Sequence, residues 1–251
     1  MKELERISDF PHFVYTNHSF PPPPPHPPPS LFTLGTHNLA VQNSGGADGG
    51  LTEKEYENWA WRDARLTDLG KEQSATVVPL LLALGHTIDV VIVSPLSRTL
   101  QTALLAVPGT PPFVADERIR ERNGKHPCDK RRPRSELLID FPSVDFSPLT
   151  AEEDDSWTPE RESWENLVAR AGDFCRALAA RPEQHIAVVT HNDFLQALLL
   201  HAPELKTTEP ALRKKFANAE MLAIWYWEKP AGSFADMNER ENPSLSPRPT
   251  H

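Results

Sequence analysis

The hydrophobic positions alternate between short β-branched runs and longer segments with helical spacing. Apolar runs predict strands at residues 31–34, 88–93, 113–115, 185–190 and 219–227. Apolar positions three and four apart predict helices at residues 67–85, 97–107, 164–178 and 194–200. Strands that alternate with helices are typical of a parallel sheet covered on both faces. The pattern therefore predicts a three-layer α/β/α domain with a mainly parallel sheet.

Turn-forming and capping residues divide this pattern. Thr67 is a suitable N-cap for the first helix, and Gly85 a suitable stop. Pro79 inside that helix predicts either a kink or a later start. Residues 116–160 show no clear periodicity, and we expect them to form an insertion over the carboxyl edge of the sheet.

Proline-rich and patternless segments flank the predicted domain. Eight prolines and one histidine fill residues 21–29, which predicts polyproline II conformation. Such a segment is either a ligand for an SH3-, WW- or EVH1-type partner or a stiff spacer. We predict a disordered tail at residues 1–30, the folded domain at 31–228 and a second tail at 229–251.

Composition restricts the class of protein. Charged residues make up 24 % of the 251 residues, apolar residues 39 %, and the formal charge is −9. This charge argues against nucleic acid or an anionic membrane as a partner. No apolar run reaches the ~18 residues of a membrane span, and no secretory signal is evident, so we expect a cytoplasmic protein. Cys128 and Cys175 have no metal-ligand spacing, and we expect two buried thiols.

Two segments place polar side chains directly after predicted strands. Arg98 lies in the segment 94–102 (SPLSRTLQT), in the first turn of a helix, where a guanidinium can grip two phosphate oxygens. His191 ends the strand 185–190, where it could bind a phosphoryl oxygen or attack phosphorus. A surface arginine and a structural histidine are the alternatives for these two positions.

Glu121 follows the predicted strand 113–115. Burial or nearby anionic charge would raise its pKa, and it could then protonate a leaving alkoxide. A salt bridge to a neighbouring arginine is the alternative. A basic cluster follows it in the chain and faces the acidic run 152–155, either as a paired surface or as a patch that steers substrate. The cluster consists of Lys125, Lys130, Arg131, Arg132 and Arg134.

Together these segments resemble the histidine phosphatase superfamily, and most closely its plant and fungal phosphoglycerate-mutase-like branch. The matching strings are DARLTDLG (63–70), SPLSRTLQT (94–102), RERNGKHPCDKRR (120–132), VVTHNDFL (188–195) and FANAE (216–220). The resemblance implies a phosphatase that acts through a phosphohistidine without a metal or cofactor. It also implies that Arg98 and His191 bind phosphate and that Glu121 is the proton donor. A small phosphorylated metabolite or a phosphoprotein is the implied substrate.

The first motif departs from this family, whose nucleophilic histidine stands in Arg-His-Gly at the end of the first strand. Thr36-His37-Asn38 repeats the Thr-His-Asn of 190–192. In one alignment it is the downstream half of the branch's motif, and the first strand and the nucleophile are then missing. In the other it replaces Arg-His-Gly, and His37 is the nucleophile with Asn38 beside it in the phosphate site. We favour the first alignment, because Gly-x-His-Asn is the more specific string. A catalytically inactive phosphate-binding relative, tethered through its proline-rich tail, is therefore the alternative function.

Overall fold

The computed structural model describes residues 15–16, 30–35, 56–202, 216 and 218–225. Within them one seven-stranded sheet has the order β1-β7-β2-β6-β3-β4-β5. Its strands are β1 (Tyr15–Thr16), β2 (Ser30–Gly35), β3 (Val90–Val93), β4 (Phe113–Ala115), β5 (Val144–Asp145), β6 (His185–Thr190) and β7 (Glu220–Trp225). From β2 to β5 all neighbouring strands are parallel, whereas β7 is antiparallel to both β1 and β2. The predicted mainly parallel sheet is confirmed.

The helices lie between these strands in the chain. They are α1 (Asp68–Ala75), α2 (Val78–Ala83), α3 (Ser97–Ala106), α4 (Arg134–Asp140), α5 (Trp164–Ala179) and α6 (Asn192–Gln196), which continues as a π-helical turn, Ala197–His201. Thr67 caps α1 as predicted, since its side chain accepts a hydrogen bond from the Gly70 amide. The predicted first helix is divided in two, and Pro79 lies in the first turn of α2. Backbone amides in the first turn of a helix have no acceptor within that helix. A proline there, which lacks the amide, therefore costs little stability.

Alternate residues of the central strands pack against different helices. Val90 and Ile92 of β3 point into a core that α5 and the turn after α6 cover. Val91 and Val93 point the other way, into a core covered by α2, α3 and α4. Because successive side chains of a strand face opposite sides, both faces of β3 are buried. The result is the predicted α/β/α arrangement.

The first strand is present, contrary to the favoured alignment. β2 pairs in parallel with β6 over six residues, and Gly35 lies opposite Thr190. That alignment sets Leu31 and Phe32 against the arginine and the nucleophilic histidine of the family motif, but both residues lie within the strand and not at its carboxyl end. The prediction of a missing strand is therefore wrong, because the run that follows the polyproline segment pairs with β6 on one side and with β7 on the other. β1 adds a second strand inside the predicted N-terminal tail, and the remainder of residues 1–29 lies outside the described residues.

The predicted insertion at residues 116–160 is organised around a buried arginine. Arg131, 1 % exposed, pairs with Glu117 and donates to the carbonyls of Arg132, Ala151, Glu152 and Glu153. The other members of the basic cluster are also engaged. Lys125 and Arg134 pair with glutamates, Arg132 with Asp63 and Asp140, and Lys130 lies over two tryptophan rings. The structure thus favours the paired-surface interpretation of this cluster.

Candidate functional site

The carboxyl ends of β3 and β6 lie side by side and bring together residues distant in sequence. Val93 is the register partner of Val189, and the Ser94 amide donates to the Val189 carbonyl at 3.0 Å. Ser94 and His191 therefore emerge from neighbouring strands at one edge. His191 Nε2 lies 2.8 Å from Ser94 Oγ. In an open parallel sheet this edge is the usual place for a ligand.

Arg98 is held in the first turn of α3 by an unusual cap. Asp63, from a loop before α1, accepts hydrogen bonds from the amide of Ser97 at 2.8 Å and from its hydroxyl at 2.6 Å. Asp63 has a positive φ of 46° and is 3 % exposed. A carboxylate at the N-terminus of a helix satisfies an unpaired amide and favours the helix dipole. This cap fixes the start of α3 and with it the position of Arg98.

The Arg98 guanidinium is 1 % exposed and has three neighbours. It donates to the Cys128 carbonyl at 2.7 Å and to Asp129 Oδ1 at 2.8 Å, and its Nη2 lies 3.2 Å from His191 Nδ1. Its Nε is buried and has no hydrogen-bond acceptor among the described residues. A buried donor of this kind is costly to leave unpaired, so an acceptor from a ligand would stabilise it.

The contacts of His191 with Arg98 and Ser94 favour one tautomer of its ring. A guanidinium can only donate hydrogen bonds, so Nδ1 of His191 must accept from Arg98 through its lone pair. The proton of the neutral imidazole is then on Nε2, where it is directed at the Ser94 hydroxyl. The ring is fully buried. With its lone pair directed at Arg98, His191 is placed to position charge and not to attack phosphorus.

Glu121 is the buried acid of the site. It is 7 % exposed, and burial, followed by the negative charges of Asp193 and Asp129, raises its pKa to about 7. The Arg122 amide donates to its Oε1 at 2.9 Å and, with Arg98, opposes that shift. Among the described residues no ion pair of Glu121 is found. The structure therefore does not support the alternative that Glu121 forms a salt bridge to a neighbouring arginine. A carboxyl group titrating near neutrality can donate a proton at physiological pH.

Two further residues of this site were not predicted. Asp129 accepts hydrogen bonds from both Arg98 and Arg161. Burial alone would raise the pKa of Asp129, but the two guanidiniums hold it below its ordinary value. Asp129 lies in the string that carried the family resemblance but was given no role, and Arg161 lies just beyond the patternless insertion. A buried pair of this kind depends on tertiary contacts, so sequence pattern gave no signal for it.

The structure brings Arg98 and His191 into contact, and it places Glu121 near enough to Arg98 for that charge to act on its carboxyl group. His37 and Asn38 lie outside the described residues, two and three positions beyond the end of β2. Among the described residues, no group of three or more histidine, cysteine, aspartate or glutamate side chains could hold a metal ion. In the same part of the chain, no helix is long and apolar enough to cross a membrane. Cys128 and Cys175 are both buried and unbridged.

Comparison with known proteins shows the family. The sequence profile of the histidine phosphatase superfamily (branch 1) matches residues 50–238. The chain belongs to this superfamily. Membership supports a function of the phosphatase or mutase type.

Relatives of this member of the superfamily are found in plants. Two proteins of Arabidopsis thaliana, named phosphoglycerate mutase-like protein and phosphoglycerate mutase-like protein 1, are 34 % and 35 % identical to it. The first match covers 66 % of this chain and 70 % of the relative, and the second 76 % and 77 %. The solved structure of the ecdysone phosphate phosphatase from Bombix mori in complex with tungstate is 16 % identical, with a TM-score of 0.52 over 78 % of this chain and 88 % of that one. At that identity it shows a shared fold.

Proposed function

We propose that this protein hydrolyses a phosphomonoester through a phosphohistidine intermediate. The observation that carries the proposal is one cluster at the carboxyl edge of the sheet. There a buried arginine contacts a buried histidine and lies near a buried carboxyl group whose pKa is about 7. These are the three kinds of group that phosphoryl transfer to a histidine requires: a cation, a positioned imidazole and an acid.

Arg98 and His191 would bind the oxygens of the phosphoryl group. The unpaired Nε of Arg98 offers a donor with no competing acceptor among the described residues. Charge-assisted bonds from a guanidinium are stronger than neutral ones and are directional. Arginine and histidine then supply the positive charge that stabilises the transition state.

His37 is the proposed nucleophile. It follows β2 by two residues, and β2 is the parallel neighbour of β6, which ends next to His191. A nitrogen of His37 attacks phosphorus while the bond from phosphorus to the leaving oxygen breaks. Glu121 gives its proton to that oxygen, and an alcohol leaves. Water then attacks the phosphohistidine, the Glu121 carboxylate takes up a proton from it, and inorganic phosphate and free His37 are released.

The substrate class follows from the same chemistry. A small phosphorylated metabolite or a phosphoprotein presents a phosphomonoester with a protonatable leaving oxygen.

The proline-rich segment 21–29 would recruit an SH3- or WW-type partner, if it acts as a ligand and not as a spacer.

Hydrolysis of p-nitrophenyl phosphate by the full chain tests this function. We expect His37→Ala to abolish turnover and the acid-labile phosphoenzyme. His191→Ala should reduce turnover by at least about a hundredfold, as loss of one preorganised donor does elsewhere. His185→Ala is the matched control, because His185 lies at the opposite end of the same strand, and it should retain turnover.

Two results would contradict the proposal. Full turnover by His37→Ala would remove this histidine from the mechanism. No turnover by the unmutated protein, with inorganic phosphate still bound, would instead favour the second candidate, a phosphate-binding relative without activity. The specific observation behind that candidate is Thr36, which stands where the aligned family motif has arginine.

A further inference from the structure

We infer that Arg161 is a second phosphate-binding arginine of this site, oriented together with Arg98 by the carboxylate of Asp129. This inference rests on the proposed location of the phosphate site. It assigns Arg161 a role in holding the phosphoryl group.

One carboxylate joins the two guanidiniums. Arg98 Nη2 donates to Asp129 Oδ1 at 2.8 Å, and Arg161 Nη1 donates to Asp129 Oδ2 at 2.7 Å. Asp129 is 2 % exposed, so water does not compete for its two oxygens. The two guanidiniums bind the two oxygens of one carboxylate, so they lie close together. They can then donate hydrogen bonds to different oxygens of one phosphoryl group.

Arg161 is the accessible member of the pair. Its side chain is 21 % exposed, whereas that of Arg98 is 1 % exposed. Only Nη1 is engaged, by Asp129 and by the Gly124 carbonyl at 2.9 Å. Among the described residues, Nε and Nη2 of Arg161 have no hydrogen-bond partner. An anion that enters from solvent would therefore meet free donors of Arg161 beside the buried Arg98.

Arg161 faces the same carboxyl groups as the rest of the site. Burial alone would lower the pKa of its guanidinium, but Asp129, Glu121 and Asp193 raise it above its ordinary value. Glu121 is the proposed proton donor, and Asp193 is the second residue after His191. The charge of Arg161 thus acts at the catalytic edge of the sheet.

The loop behind Arg161 is built for close contact. Gly124 has φ of 78°, and a Cβ at this position would lie 1.9 Å from the Glu160 carbonyl oxygen. The Lys125 amide donates to the Thr158 carbonyl, and the Glu162 amide to the Asn123 carbonyl. Backbone bonds on both sides of Arg161 therefore fix where its side chain starts. Such preorganisation suits a ligand-binding cation.

Titration calorimetry of the full chain with inorganic phosphate tests the inference. Arg161→Gln should weaken phosphate binding by about tenfold or more, the effect of losing one or two charge-assisted hydrogen bonds. Arg181→Gln is the matched control. Arg181 is a similarly exposed arginine paired with Glu183, and it precedes β6 at the opposite edge of the sheet. It should bind phosphate like the unmutated protein.

Arg161→Lys distinguishes a loss of phosphate binding from a loss of structure. It also serves as the test if Arg161→Gln does not fold. A lysine keeps the charge but loses the fork, so we expect a several-fold weaker affinity at an unchanged unfolding temperature. An affinity equal to that of the unmutated chain in a folded Arg161→Gln or Arg161→Lys protein would overturn the inference. Loss of phosphate binding by Arg161→Gln in a chain that shows no turnover would uphold it while the hydrolase proposal fails.

Discussion

At the scale of single residues, the pKa values of two buried carboxyl groups, Glu121 and Asp129, are shifted in opposite directions. Glu121 has a raised pKa because burial, and then the negative charges of Asp193 and Asp129, disfavour its ionised form. Asp129 has a lowered pKa because Arg98 and Arg161 outweigh its burial. Environments that separate the pKa values of neighbouring acids assign their roles. Glu121 is the group that can exchange a proton, and Asp129 stays charged to orient the arginines.

The first residue-scale prediction concerns pH. Below a pH of about 7 Glu121 is protonated and can act as the acid, so kcat/KM should be level there. Above about 7 it should fall by about tenfold per pH unit as the acid is lost. Glu121→Gln should lower kcat by about 10²–10⁴ and remove this limb from the profile. Rates with p-nitrophenyl phosphate across pH 5–9 provide the measurement.

The same shift has a consequence for stability. Because the folded-state pKa of Glu121 is raised from 4.5 to about 7, its contribution to stability is present below pH 4.5 and is lost as the pH rises through 7. Between pH 5 and 8 the free energy of unfolding in urea should therefore fall less for Glu121→Gln than for the unmutated chain. Glu165→Gln, an exposed change in the first turn of α5, should retain both the pH limb and the stability profile. A limb that persists in Glu121→Gln would assign it to another group.

At the scale of elements, regular hydrophobic spacing was a good guide. α3, α5, β3 and β6 lie within one or two residues of the predicted segments, because each buries a continuous apolar face. The insertion at 116–160 could not be predicted in detail. Its short turns are held by side-chain to backbone bonds such as those of Arg131, and these leave no periodic signal.

The element-scale prediction concerns the cap of α3. Asp63→Ala leaves the Ser97 amide and hydroxyl without their acceptor and removes a partner of Arg132. We expect a loss of about 2–4 kcal/mol in the free energy of unfolding in urea, together with weaker phosphate binding as Arg98 shifts. Asp63→Asn should cost less, since asparagine tolerates positive φ and keeps an acceptor oxygen. Asp68→Ala, a change of an exposed residue in the first turn of α1, serves as the control. Equal stabilities of Asp63→Ala and Asp68→Ala would contradict this role of Asp63.

At the scale of the whole molecule, the sheet explains which part of the site could be predicted. Arg98 and His191 follow β3 and β6 directly, and Glu121 lies shortly after β4, so the common carboxyl edge of parallel strands was enough to group them. Asp129 and Arg161 reach the same edge from loops, and only the folded contacts show that they belong to it. The string Gly-x-His-Asn favours an alignment without the first strand, but the short apolar run before it forms a central strand, β2.

The central position of β2 in the sheet leads to the last prediction. β2 pairs with β6 on one side and β7 on the other, so any amide of the strand faces a neighbour. Thr33→Pro would break a ladder bond in the middle of the sheet, at a cost of about 3 kcal/mol or more. We expect thermal unfolding of the full chain to shift to clearly lower temperature, or the protein to become insoluble. Thr33→Val retains the amide and a β-branched side chain, and it should unfold close to the unmutated chain. If Thr33→Pro unfolded like Thr33→Val, β2 would be dispensable, and the alignment that makes His37 the nucleophile would lose its structural basis.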